Sequence, residues 1–283
     1  MYKFPIGVIV DSFRIETRAA IIKAAEIGAD GIQLYTAEGA NAPENLTLEK
    51  RRELLDLVKS HGLKFSALCG DLGMGFHNKE LNPQLIERSK RILDLAKDLE
   101  TDIVTTHIGV VPEDKSVERY SVMQSACYEL ATYADSIGSH FAIETGPEPS
   151  IVLKNFLDEL GSTGVAVNLD PANLAMVVGD DPVEAVYNLK DYIVHTHAKD
   201  GIMLKRVNPE YIYGVTPKPE DLKGIKCFKE VPLGEGSVDF AKYLKALEDV
   251  GYRGFLTIER EVGENPAADI QKAMNHLKSI IGN

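Results

Sequence analysis

A single closed (β/α)8 barrel is the fold class that this 283-residue sequence predicts, and three observations predict it. Eight short runs rich in β-branched residues alternate with amphipathic stretches of roughly 12 to 20 residues, the alternation that builds a parallel sheet. Glycines stand where the helical stretches end, just ahead of the next strand, because a residue without a Cβ adopts the left-handed conformation at least cost. Most of the strand runs are apolar almost throughout, as a parallel sheet requires when helices cover one face and a packed interior fills the other. Closure of eight such strands removes the exposed edges that an open sheet would keep.

The elements follow in order. FPIGVIV (4–10) is the first strand, and Ile21, Ala24 and Ala25 mark the buried face of a helix that stops at Gly28. GIQLY (31–35) is the second, followed by a helix with Leu54, Leu55 and Val58 on one face and Gly62 at its end. LKFSALC (63–69), DIVTTHI (102–108) and HFAIET (140–145) are the next three, with Gly138 ahead of the last of them. Gly161 ends the helix before GVAVNLD (164–170), and Asp181-Pro182 opens another helix before YIVHTHA (192–198). Residues 201–236, rich in Lys, Pro, Tyr and Gly, are expected to form one irregular insertion over the C-terminal ends of the strands. Gly251 precedes the eighth strand, GFLTIE (254–259), and Asn265-Pro266 starts the final helix. A doubly wound dinucleotide fold would place a GxGxxG turn after the first strand, where this chain has Asp11-Ser12-Phe13. The expected organisation is therefore one domain over 1–283.

Composition narrows the function classes. With 31 Lys plus Arg against 43 Asp plus Glu, the formal charge is -12, which repels a nucleic-acid backbone over most of the surface. No apolar run reaches the 18 or so residues of a membrane span. The opening MYKFPIGVIVDSF has neither a basic leader nor a long apolar segment with a cleavage site, so a cytoplasmic protein is expected. Cys69, Cys127 and Cys227 are too few and too scattered for a disulfide framework, which fits a reducing compartment.

The chemistry gathers at the ends of the later strands: His107, Glu144, Asp170, His195 with His197, and Glu259. Unpaired buried carboxylates are costly, and parallel neighbouring strands bring their ends to one rim. A divalent cation is the simplest common partner for three carboxylates and a histidine. Asp170 also suits an Asx turn before Pro171, and Glu144 could cap the turn that follows it. His195 and His197 are two apart and share a face of their strand, so one is expected to ligate and the other to pack or donate a hydrogen bond behind it.

FAIETGPEP (141–149), GVAVNLDPANLAM (164–176), IVHTHAKD (193–200), VPLGEGSVDF (231–240) and GFLTIERE (254–261), in this order and spacing, resemble the xylose isomerase-like barrels. Within that group the chain resembles the sugar isomerase and epimerase families that include tagatose 3-epimerase and inosose dehydratase. The resemblance implies a metal held by Glu144, Asp170, His197 and Glu259, with Mn2+ the first expectation and Mg2+, Co2+ or Zn2+ as alternatives. It implies that Glu144 and Glu259 act on opposite faces of a ketose, one removing the proton beside the carbonyl and the other returning one through a metal-stabilised enediolate. A sugar dehydratase (hydro-lyase) is the alternative chemistry, and a non-catalytic, metal-containing sugar-binding barrel is the alternative class.

Asn173 stands where many relatives carry a histidine. Glu148, Lys199, Arg206 and Glu235 complete the residues expected to bind substrate or support the site, together with His107, Asn173 and His195. Gly234 and Gly236 flank Glu235, a poor phosphate neighbour, so an unphosphorylated or glycosidic polyol is favoured over a sugar phosphate. A homodimer or homotetramer is expected, with no nucleic acid and no membrane as partner.

Overall fold

The computed structural model describes residues 3–282, and its centre is a closed barrel of eight parallel strands. The described residues run through ten strands: β1 (Ile6–Ile9), β2 (Gly31–Tyr35), β3 (Lys64–Cys69), β4 (Ile103–Thr106), β5 (His140–Glu144), β6 (Val165–Leu169), β7 (Ile193–Ala198), β8 (Asp200–Met203), β9 (Phe228–Val231) and β10 (Leu256–Ile258). Around the barrel the order is β1-β10-β7-β6-β5-β4-β3-β2, so every barrel strand pairs with its neighbour in the sequence of βα units. Strands β8 and β9 stand apart as an antiparallel pair.

Each barrel strand is followed by a covering helix: α1 (Thr17–Glu26), α2 (Leu48–Ser60), α3 (Asn82–Asp98), α4 (Glu118–Ile137), α5 (Ser150–Leu160), α7 (Pro182–Leu189), α9 (Phe240–Asp249) and α10 (Pro266–Ile281). Two short helices, α6 (Pro171–Asn173) and α8 (Pro209–Ile212), lie at the C-terminal rim. The expected punctuation is present: the Asp181 side chain accepts from the Val183 N–H at the start of α7, and that of Asn265 accepts from Ala268 N–H at the start of α10. Gly138 and Gly161 take positive φ at the ends of α4 and α5.

The sequence reading treated residues 201–236 as irregular, and the structure corrects its two ends. Residues Asp200–Met203 and Phe228–Val231 form a hairpin stem, between which α8 and a single turn at Glu220–Leu222 are carried. Neither run has the apolar, β-branched pattern of the barrel strands. Their pairing is made by backbone hydrogen bonds across an intervening loop, which local pattern does not report.

Two irregularities in the barrel matter for the site. Val167 pairs with Ile193 and Asn168 with His195, leaving Val194 as an extra residue in β7. Likewise Ile32 pairs with Phe65 and Gln33 with Ala67, leaving Ser66 extra in β3. Such bulges re-aim the side chains that follow them. Here they sit beside a buried polar layer made by Gln33, Ser66, Asn168, His195 and Thr257, where a barrel interior is usually aliphatic.

Candidate active site

Glu144 is the last residue of β5, Asp170 and Glu259 directly follow β6 and β10, and His197 is the penultimate residue of β7. Parallel pairing brings these four ends together, and one ligand atom from each lies within 4.8 Å of the others. All four are buried. Glu144 and Glu259 line a cavity of about 210 Å³, walled at the strand ends by Tyr35, Cys69, His107 and Lys199 and bordered by Ile212, Tyr213 and Phe228 from the insertion, with Asp170 and His197 packed against them.

Local bonding fixes each donor. Asp170 Oδ1 accepts from the Ala172 and Asn173 N–H groups and so caps α6, while Oδ2 has no hydrogen-bond partner. The Asx-turn and ligand readings of this residue are thus both available, one for each oxygen. Thr145 ties the two strand ends together, donating to Asp170 O at 3.0 Å and accepting from Asp170 N at 2.8 Å. Glu144 accepts from the Asn173 amide at Oε1 and from the Asn168 amide at Oε2, both at 3.1 Å. Asn173 can approach because Gly146, at φ +131°, has no Cβ; one added there would stand 2.2 Å from Asn173 Cβ.

His197 Nε2 lies 3.1 Å from Gln33 Oε1, an oxygen that can only accept. The proton is therefore on Nε2 in the neutral ring, and Nδ1 faces Glu259 at 3.2 Å, Asp170 at 3.5 Å and Glu144 at 3.6 Å. Beneath it His195 is fully buried, bonded to Asn168 Oδ1 and Thr257 Oγ1 at 2.8 Å each. The two rings sit edge to face, 5.6 Å apart, and His195 does not line the cavity.

Burial by itself would lower the His197 pKa, but Glu259, Glu144 and Asp170 overcome it and hold the ring well above its usual value. Burial would raise Glu144, yet His107 and His197 hold it below the usual range. Glu259 is likewise driven well below its usual value by Lys199 and His197 against the effect of burial. Burial dominates at Asp170 and lifts it, with Lys199 opposing. The cluster thus holds positive charge on His197, and two buried oxygens, Asp170 Oδ2 and Glu259 Oε2, meet His197 and Lys199 only as ion pairs, without a directed hydrogen bond. One imidazole and three carboxylates with unspent oxygens fit a divalent cation.

The remaining expected residues divide. His107 Nε2 lies 3.5 Å from Glu144 Oε1, and its ring packs 5.7 Å from that of Tyr213 at the cavity wall. Lys199 is buried in the site, 3.0 Å from Glu259 and 2.6 Å from Glu261, and not paired with the adjacent Asp200. Glu148 is buried outside the cavity lining, where Oε2 accepts from Val111 N–H at 2.9 Å and Oε1 has no partner; burial pushes its carboxyl up to about 8. Arg206 is exposed and packs on Gly179, and Glu235 is exposed and paired with Lys272 on α10, so neither lines the cavity. Glu235 lies away from the site because the Asp200 carboxylate takes the N–H groups of Gly234, Gly236 and Val238 and folds the GEG segment onto β8.

Gln33 and Asn168 were not singled out in the sequence, although each is a lone polar residue inside an apolar run and that is a usable signal. Tyr213 and Phe228 carried no comparable mark.

The fold and site define a barrel with an acidic, histidine-containing centre at the C-terminal ends of its strands. Comparison with known proteins gives its family: residues 21–280 match the xylose isomerase-like TIM barrel, and the chain belongs to that family. A solved xylose isomerase domain protein from Planctomyces limnophilus superposes with a TM-score of 0.80 at 25% identity, covering 98% of this chain and 96% of that one. The fold neighbours also include a D-tagatose 3-epimerase-like protein, with a TM-score of 0.74 at 18% identity over 98% of each chain. The probable 3-DHS dehydratase AsbF from Bacillus anthracis has a TM-score of 0.72 at 19% identity, covering 97% of this chain and 99% of that one. Among curated relatives, the uncharacterised protein MJ1311 of Methanocaldococcus jannaschii is 24% identical over 209 residues, 68% of this chain and 61% of that protein. The L-ribulose-5-phosphate 3-epimerase UlaE of Salmonella paratyphi B is 46% identical over 54 residues, 18% of this chain and 19% of its own length. The chain therefore matches only part of the length of these two relatives. No helix among the described residues is long and apolar enough to cross a membrane.

Proposed function

We propose that this protein is a divalent-metal-dependent epimerase or isomerase of a small sugar or keto-sugar. The observation that carries the reading is the convergence of Glu144, Asp170, His197 and Glu259, whose ligand atoms lie within 4.8 Å of one another beneath the cavity, with two carboxylate oxygens that no directed hydrogen bond fixes. Those four residues would hold the ion, which when bound supplies positive charge against the negative charge that develops as the substrate enolises.

Glu259 takes the proton from the carbon beside the carbonyl. Its Oε2 is kept ionised by the ion pairs it makes with Lys199 at 3.0 Å and His197 at 3.2 Å and takes no amide hydrogen bond, whereas both oxygens of Glu144 are held by amides. Glu144 faces the enediolate from across β6 and β7 and returns to it a proton that it takes up from solvent as the substrate enters, while Glu259 gives up the abstracted proton to solvent as product leaves, so that both carboxylates are restored. Lys199 keeps Glu259 ionised before the transfer, and Asn168 and Asn173 hold Glu144 in place. Tyr213 and Phe228 place aromatic rings at the cavity wall. The epimerases among the fold neighbours and the short match to a 3-epimerase support reprotonation over loss of water. Loss of the β-hydroxyl, the dehydratase outcome, is the second reading, favoured by Lys199 as an acid in the cavity and by the AsbF neighbour.

Three free, buried cysteines fit a reducing compartment, and this reading places the enzyme in the cytoplasm, as a homodimer or homotetramer without nucleic acid or membrane as partner. The test is solvent deuterium incorporation into ketoses, inososes and keto-glycosides with Mn2+, Mg2+ or Co2+. An isomer of unchanged elemental composition, labelled at the reacting carbon, supports the proposal; a product lighter by one water gives the dehydratase. A fully metallated Glu259→Gln variant should turn over at least about a hundredfold more slowly, since an amide accepts no proton. Near-normal turnover there overturns the base assignment.

A further inference from the structure

The reactive cavity does not end at Tyr213. A second chamber of about 650 Å³ opens beside it, and Ile212, Phe228 and Glu261 line both. At about 210 Å³ the inner cavity is smaller than the roughly 300–1,000 Å³ usual for a ligand site, and the outer chamber falls within that range. The two cavities are thus adjacent, and a ligand with its reacting carbons over Glu144 and Glu259 would reach the outer one past Ile212 and Phe228, between the insertion and the segment that follows β10.

The outer chamber has a charge opposite to that of the protein. In a chain of formal charge -12, it is lined by Lys218, Lys226, Lys229 and Arg260 against Glu230 and Glu261. The two carboxylates are already engaged. Glu230 accepts from Arg260 at 2.6 Å, and Glu261 accepts from Lys199 at 2.6 Å on the side of the reactive cavity. Lys218 donates to the Ile225 carbonyl at 3.1 Å. Lys226 and Lys229 are exposed and pair with no carboxylate among the described residues, leaving uncompensated positive charge over an apolar wall of Tyr211, Ile225 and Val262.

We propose that this chamber is a specificity subsite for an anionic group, a phosphate or carboxylate, at the end of the sugar remote from the reacting carbons. The inference deepens the function proposed above and rests on that reading for the placement of the reacting end. It departs from the preference for an uncharged polyol expressed by the GEG segment: the backbone N–H groups there are taken by Asp200, and the anion is received instead by lysine side chains of the insertion. Held there, the charged end fixes the length of substrate accepted and leaves the polyol end to the carboxylates.

Calorimetric titration of the Mn2+-loaded protein with unreactive polyols reads the subsite without turnover. D-sorbitol 6-phosphate and D-gluconate are compared with D-sorbitol, in wild type and in the double variant Lys226→Ala/Lys229→Ala. The inference expects at least one anionic polyol to bind about tenfold or more tightly than sorbitol, the weight of one hydrogen bond to a charged group, and expects that preference to disappear in the double variant. Which of the two is preferred identifies the anion. No preference, no binding of any of the three, or a preference that survives in the double variant because the anion sits on the metal, overturns it. Deuterium exchange with neutral ketoses separates the two proposals. Exchange without anion preference removes the subsite alone, and anion preference without exchange removes the reaction alone.

Discussion

Glu148→Gln isolates one buried acid. The carboxyl lies in the turn after β5, buried, with Oε2 on the Val111 N–H and Oε1 on nothing, and burial raises it from 4.5 to about 8. At neutral pH it is a neutral acid in the native state and a carboxylate in the unfolded chain. A raised native pKa contributes stability that is fully present below the unfolded value, near 4.5, and is lost as pH rises through about 8. At roughly 1.4 kcal/mol for each unit, the loss over that window is about 5 kcal/mol. Glutamine keeps an oxygen for Val111 and does not titrate. Urea unfolding of the metal-free wild type and variant, at intervals from about pH 5 to pH 8.5, should therefore show the wild type losing ground to the variant by about 1 kcal/mol or more per pH unit. The metal ligands titrate equally in both proteins and cancel in the difference. A difference that is flat across the window, or in which the wild type gains as pH rises, would refute the account of Glu148 as a neutral buried acid.

Two further outcomes follow from the centre. Because the carboxylates hold His197 protonated in the metal-free site, ion binding should release roughly one proton at pH 7 and tighten as pH rises; titration in buffers of different ionisation enthalpy reads the proton count, and no release would contradict the assignment of Nδ1 as a ligand atom. Asn168→Ala, which frees both Glu144 Oε2 and His195 Nδ1, should weaken Mn2+ binding by about 10- to 100-fold; unchanged affinity would show that the polar layer beneath the site does not orient it.

Much of this protein is legible in its sequence because its determinants are local. Apolar runs, glycines that take left-handed turns such as Gly138 and Gly161, and the caps Asp181 and Asn265 act over a few residues, and the structure repeats their spacing in eight βα units. The clustering of Glu144, Asp170, His197 and Glu259 is also legible, since a carboxylate or histidine at the end of an apolar strand is conspicuous and parallel pairing brings such ends to one rim. Tertiary structure alone decided the rest. The bulges at Val194 and Ser66 that aim the inner layer, the choice of His197 Nδ1 by Gln33 across the barrel, and the diversion of Arg206 and Glu235 from the site depend on partners distant in sequence. So does the hairpin that sets Tyr213 and the lysines beside the centre: its pairing lies in backbone hydrogen bonds, which carry no side-chain signature.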